Sequence, residues 1–101
     1  MNAIQLPHID DIKPLQAEDQ ACLDEVKAVL QKHGKLGRFG LNLLHDHFYM
    51  AEDEILAESC DEENRILTMK PVKITKLADI NYIETNWRLD INEATVACTR
   101  I

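Results

Sequence analysis

The chain has 101 residues, of which 46% are hydrophobic, and its 18 acidic and 11 basic side chains give a formal charge of −7. This acidity opposes binding to the phosphates of nucleic acids and to anionic membranes. The length fits one domain, 1–101, which can bury a single core without a metal or a disulfide.

The cysteines indicate a reducing compartment. Cys22, Cys60 and Cys98 are odd in number, far apart in sequence and without a C-x-x-C motif, which is not the pattern of a secreted disulfide scaffold. Asp10 and Asp11 interrupt the region where a signal peptide would be apolar, and no apolar run approaches the roughly 20 residues that span a bilayer. We therefore expect a soluble, cytoplasmic protein.

The first elements are an extended segment and a helix. Residues 1–13 lack a clear period, so we expect them to lie extended across the domain. From Leu15 to His33 the apolar residues repeat at helical spacing, Pro14 suits the first turn, and Gly34 can adopt the left-handed conformation that ends a helix. Because this helix has one apolar stripe, we expect it to pack on a sheet.

The stretch from Phe39 to Tyr49 combines apolar residues with a His-x-His pair. Read as a strand, it directs Phe39, Leu41 and Leu43 to the same face as His45 and His47. The same stretch also has helical spacing, but the glycines before it and the hairpin after it favour a strand. We predict that its first half contributes to the core.

The remaining sequence predicts a sheet. Residues 54–60 and 65–74 read as a hairpin joined by a polar loop, 61–64, in which Asn64 can take a positive φ. Residues 77–82 fit a loop or a helical turn, 83–89 a further strand, and 94–101 a closing strand. The fold class predicted is α+β, with one N-terminal amphipathic helix packed on a four- to five-stranded antiparallel sheet.

His45 and His47 are the candidate site residues. Two imidazoles at i and i+2 of a strand point the same way, and neutral imidazole binds divalent transition metals such as zinc. A third ligand would have to come from another histidine, a cysteine or a carboxylate, although none of these completes a known ligand spacing: the candidates are His8, His33, Cys60, Cys98, Glu52 and Glu54. The competing interpretation is a pair of histidines hydrogen-bonded to carboxylates or backbone, because two ligands do not specify a metal site.

The histidine pair also allows a metal-free mechanism, in which His45 and His47 act as general acid and base beside a carboxylate. No nucleophile elbow or phosphate-binding loop accompanies it.

Because no catalytic set is complete in the sequence, the leading hypothesis is a non-catalytic binding or assembly module. Its expected partner is a second copy or another protein. Residues 94–101 read as a strand that stops abruptly at Ile101, which suggests either a C-terminal edge strand paired with another subunit or a removed tail. A metal-binding protein or metal-dependent enzyme is the second hypothesis, and a metal-free hydrolase the third.

Overall fold

The computed structural model describes residues 6–100, which form two compact units, 6–48 and 49–100. Each unit is described by itself below, and the single domain 1–101 stays a prediction. None of the helices within the described residues is long and apolar enough to cross a membrane.

The first unit contains the predicted helix, α1, which spans Gln20–Lys32. A single 3₁₀ turn, Ala17–Asp19, precedes it, and the Asp19 carboxylate accepts a hydrogen bond of 2.8 Å from the backbone N–H of Gln16. Gly34 follows the helix with φ +67°, as its role as a helix terminator predicts. No residue of α1 is buried, so the expected packing of this helix on the sheet stays a prediction.

The expected extended segment, 1–13, falls partly outside the described residues. In its described part, Ile9–Asp11 forms a 3₁₀ turn between His8 and Ile12, which are both extended. The backbone of this segment bonds to Asp46, which accepts from the N–H of Ile9 at 2.8 Å and donates to the carbonyl of Pro7 at 2.9 Å.

The predicted strand through Phe39–Tyr49 is wrong. Residues 39–45 have neither strand nor helix structure, and Asp46 forms only an isolated parallel bridge with His8. Phe39, Leu41 and Leu43 are 44%, 63% and 46% exposed, so they do not supply the predicted core face. Alternation of apolar residues does not by itself make a strand, because a strand needs a neighbour along its length to satisfy its backbone.

The second unit is a four-stranded sheet. Its strands are β1, Glu54–Asp61; β2, Ile66–Lys73; β3, Tyr82–Arg88; and β4, Glu93–Thr99. They are arranged in the order β2-β1-β4-β3. The α+β class and the strand number are confirmed, whereas the sheet is mixed and not purely antiparallel. The sheet consists of two antiparallel hairpins, β1–β2 and β3–β4, which meet where β1 and β4 pair in parallel. A 3₁₀ helix, Ile74–Asp79, connects the two hairpins in sequence.

Both hairpins close with a four-residue loop whose last residue has a positive φ. These residues are Arg65, with φ 58°, and Asn92, with φ 54°. Asn64, for which the sequence predicted a positive φ, instead donates from its backbone N–H and from Nδ2 to the Asp61 carboxylate, at 3.1 and 2.9 Å. These hydrogen bonds stabilise the turn at Asn64, and the residue with the positive φ is the next one, Arg65.

The core of this unit is small and lies on one face of the sheet. Ile55, Leu77 and Ala97 form its buried centre. Val72, Tyr82 and Ala94 pack against them and are partly buried. Leu77 comes from the 3₁₀ helix and is only 2% exposed, so this short element covers the strands.

The predicted position of the C-terminal strand is wrong. β4 pairs with β3 on one side, and on the other side its residues Val96–Cys98 pair with Leu56–Glu58 of β1. Because both of its neighbours come from the same chain, β4 is an interior strand. β2 and β3 are the edge strands, and Ile101 lies outside the described residues.

Candidate functional site

His45 and His47 come together even though the segment that carries them is not a strand. Their ring centroids are 4.9 Å apart, with the edge of one ring facing the plane of the other. His45 Nδ1 donates a hydrogen bond of 2.6 Å to the carbonyl oxygen of Leu43, so Nε2 is the ring nitrogen that carries no proton in the neutral form. The pair is therefore held by local backbone geometry in the first unit.

His8 joins the same part of the first unit. Its Nδ1 accepts a hydrogen bond of 3.1 Å from the backbone N–H of Asp10, so Nε2 carries the proton of the neutral ring. Nε2 then donates to the carbonyl oxygen of His47 at 3.0 Å. Both ring nitrogens of His8 already have backbone partners, which gives this histidine the structural task of tying residues 8–10 to residues 46–47.

The carboxylates and thiols named as third ligands all lie in the other unit. Glu54, Cys60 and Cys98 belong to β1 and β4, and Glu52 to the turn before β1. Within residues 6–100, no three or more His, Cys, Asp or Glu side chains are arranged to hold a metal ion. The structure thus brings His45 and His47 together and adds no third ligand among the residues it describes.

Glu54 has a local structural role. Its carboxylate accepts a hydrogen bond of 2.8 Å from the backbone N–H of Ala51, and the N–H of Glu54 donates to the carbonyl oxygen of Ala51 at 3.1 Å. This reciprocal pair closes the turn that leads into β1. The same carboxylate therefore serves the backbone of its own turn.

Cys98 and Glu58 are direct neighbours on the face of the sheet opposite to the core. They are paired in register between β4 and β1, and the pKa of the Cys98 thiol is raised, first by burial and then by the negative charge of Glu58. A raised pKa disfavours the thiolate, which is the nucleophilic and metal-binding form of cysteine. Cys98 therefore has the character of an inert, partly buried thiol.

Two ion pairs stabilise the ends of the strands. Lys73 Nζ lies 2.9 Å from the Asp53 carboxylate, and its hydrogen bond lowers the pKa of Asp53 while the pKa of Lys73 is raised. Arg88, which is 7% exposed, donates two hydrogen bonds to Asp90, of 3.1 and 2.6 Å, and these lower the pKa of that carboxyl. Both pairs have structural positions, at the start of β1 and in the loop between β3 and β4.

The free edge of β2 is the most distinctive surface of the second unit. Ile66, Leu67 and Met69 are 54%, 58% and 40% exposed, and β1 is the only described strand that pairs with β2. An edge strand presents unpaired backbone N–H and C=O groups to any strand that approaches it. Here those groups are accompanied by three adjacent or nearly adjacent apolar side chains.

One residue in the sequence could have identified this edge. Pro71 cannot donate to a sheet ladder, and proline inside a strand is confined to edges, to the first residue or to bulges. Pro71 inside the run 65–74 therefore favours an edge position for this strand, which the strand order confirms. Comparison with protein-family models, curated proteins and solved structures found no match for the chain.

Proposed function

We propose that this protein is a non-catalytic, cytoplasmic protein-binding or assembly module that acts through the free edge of β2. The observation that carries the proposal is the exposed run Ile66–Met69 on an edge strand. Exposed apolar side chains beside unpaired backbone groups favour the addition of a strand from a partner, in which the backbone provides affinity and the side chains provide specificity. The proposed compartment is supported by the three separate cysteines, which are all free.

Site-specific photo-crosslinking in living cells tests this function. A photoreactive amino acid replaces Leu67 in one variant and Leu89 in another; Leu89 is 84% exposed and lies in the loop between β3 and β4. We expect discrete cross-linked protein bands from position 67 that position 89 does not give. Equal labelling at the two positions, or none at position 67, would contradict the function.

The alternative of a metal-binding protein or metal-dependent enzyme has one observation in its favour, the approach of the His45 and His47 rings to 4.9 Å. Elemental analysis of protein purified without a tag or a chelator tests it. Stoichiometric zinc or another transition metal that is lost in the His45→Ala, His47→Ala double variant would support it. A metal content unaffected by the double substitution would contradict it.

A metal-free acid–base hydrolase would use the same two rings. Within residues 6–48, neither ring forms a hydrogen bond or an ion pair with a carboxylate that could orient it. The binding module is therefore the function that the described contacts favour.

A further inference from the structure

The direction of the backbone groups of β2 follows from Pro71. In an antiparallel pair, opposite residues alternate between those that exchange hydrogen bonds and those that do not. Pro71 has no N–H and lies opposite Leu56, so this pair belongs to the second kind. Two residues along, Met69 opposite Glu58 is of the same kind, and so is Leu67 opposite Cys60. Leu67 and Met69 therefore direct their N–H and C=O groups away from β1.

The two halves of β2 differ in whether their residues hinder pairing with another strand. Lys70, Pro71 and Lys73 carry the charge and the missing donor by which natural sheets block edge pairing. Ile66–Met69 contains neither a charge nor a proline, and its apolar side chains are exposed. Only this first half is open to an added strand.

We propose that the occupant of this edge is a second copy of the chain, whose β2 adds antiparallel to the first about a two-fold axis at Thr68. The proposal rests on the proposed function and names its partner. With the axis at Thr68, Leu67 lies opposite the partner's Met69, and Met69 opposite the partner's Leu67. All four residues direct both backbone groups toward the partner, so each pair exchanges two hydrogen bonds.

Two registers with the axis nearer the lysine end of β2 are less favourable. An axis at Met69 places Leu67 opposite the partner's Pro71, which has no N–H to donate. An axis at Lys70 places the ammonium groups of the two copies side by side, and like charges directly opposite destabilise a sheet. The axis at Thr68 separates the two lysines and places Pro71 opposite Arg65, which lies outside β2.

Charge complementarity supports a second copy as the occupant. Asp61, Glu62 and Glu63 lie at the hairpin end of β2, and Lys70 and Lys73 lie toward its other end. In an antiparallel pair about Thr68, Ile66 lies opposite the partner's Lys70, so Glu62 and Glu63 of each copy lie toward the lysine end of the partner, with Arg65 as the one basic residue at the hairpin end. A two-fold axis makes this attraction reciprocal.

Sedimentation equilibrium of the full chain with a matched pair of lysine substitutions tests the surface. Met69 on β2 and Ile83 on β3 are both 40% exposed and lie on the two edge strands. We expect the wild type to dimerise, and Met69→Lys to raise the dimer dissociation constant by about tenfold or more, because each dimer then contains two added charges at the paired edge. Ile83→Lys should leave the dissociation constant within about twofold.

Disulfide trapping tests the register. In a background with Cys22→Ser and Cys60→Ser, Thr68→Cys places two thiols on the axis, with their Cα atoms roughly 4.5 Å apart, as in a pair that exchanges no hydrogen bonds. Lys70→Cys is the control, because the two copies of position 70 would be about 13 Å apart. We expect a covalent dimer from position 68 under mild oxidation and none from position 70.

The outcomes separate the two proposals. A monomeric chain that cross-links to a different protein at position 67 would overturn self-association and keep the proposed function. A dimer that Met69→Lys does not weaken, or that position 68 does not trap, would place the interface elsewhere and overturn the inference. A monomeric chain that gives no cross-links at position 67 would contradict both the self-association and the proposed function.

Discussion

Arg65 in the first hairpin has a left-handed backbone conformation, which is unfavourable for a residue with a long side chain. Its φ of 58° lies in the left-handed region, where Cβ approaches the backbone and where glycine and asparagine are preferred. The equivalent loop of the second hairpin already has asparagine there, at Asn92. The same loop geometry thus carries different residues, and only one of them suits it.

Replacement of Arg65 should therefore stabilise the protein. We expect Arg65→Asn or Arg65→Gly to raise the free energy of unfolding by about 0.5–1 kcal/mol, because the strain is relieved without the loss of a buried contact. Urea unfolding measures the change. Asn92→Ala is the complementary variant, which should lower stability by a similar amount; an increase there would contradict the argument from φ.

Leu77 carries more of the core than its position in a short 3₁₀ helix suggests. It is 2% exposed and lies against Ile55 and Ala97, in a core with few other large buried side chains. Leu77→Ala should lower the free energy of unfolding by about 2–4 kcal/mol through lost burial and the cavity left behind. Leu89→Ala, at an 84% exposed leucine, should change it by less than about 0.5 kcal/mol. Equal effects in chemical denaturation would contradict this assignment of the core.

At the scale of the elements, the loop between β3 and β4 depends on the buried guanidinium of Arg88. Asp90 accepts two hydrogen bonds from this guanidinium. Arg88 is the only polar or charged residue in the described part of the chain that is buried. Removing the carboxylate would leave a nearly buried cation without its partner.

The pKa of Asp90 gives this contact a pH dependence. Because the folded-state pKa is lowered below the ordinary 3.8, the pair stabilises the fold fully above that value, and the contribution is lost as the pH falls through the folded pKa. We expect Asp90→Asn to lower stability at pH 7, with a difference from wild type that shrinks on acidification below pH 3.8. Urea unfolding across this pH range measures it, with Asp79→Asn as the control; a constant difference would argue against the ion pair.

The elements also show which sequence patterns were decisive. The four strands and the end of the helix were predicted close to their observed bounds, because their apolar periods agree with the turn residues that flank them, such as Gly34. The start of the helix was predicted at Leu15, whereas α1 begins at Gln20 after a 3₁₀ turn, Ala17–Asp19. The stretch 39–45 failed because alternation was its only support: three glycines precede or begin it, and no described strand pairs along it.

For the whole molecule, the net charge of −7 sets the conditions for assembly. Copies with this charge repel at a distance, so an interface needs local complementarity to overcome the repulsion. The edge of β2 offers it through Lys70, which in the proposed dimer approaches the hairpin end of the partner with Glu62 and Glu63. Pairing at this edge also covers Ile66, Leu67 and Met69, which would otherwise stay in water.

The sequence by itself determined the α+β class, the helix with its glycine stop, the first hairpin and the presence of two further strands, since all of these depend on local spacing and turn chemistry. The pairing of β3 with β4 and the contact between His45 and His47 outside any strand came from the structure. The order of the strands came only from the tertiary structure. β4 became an interior strand through its parallel pairing with β1, a contact between residues about 40 positions apart that no local pattern encodes. Because of that pairing, β2 and not the C-terminal strand lies at an edge of the described sheet. The position of Pro71 opposite Leu56 indicates that the backbone groups of Leu67 and Met69 point away from β1.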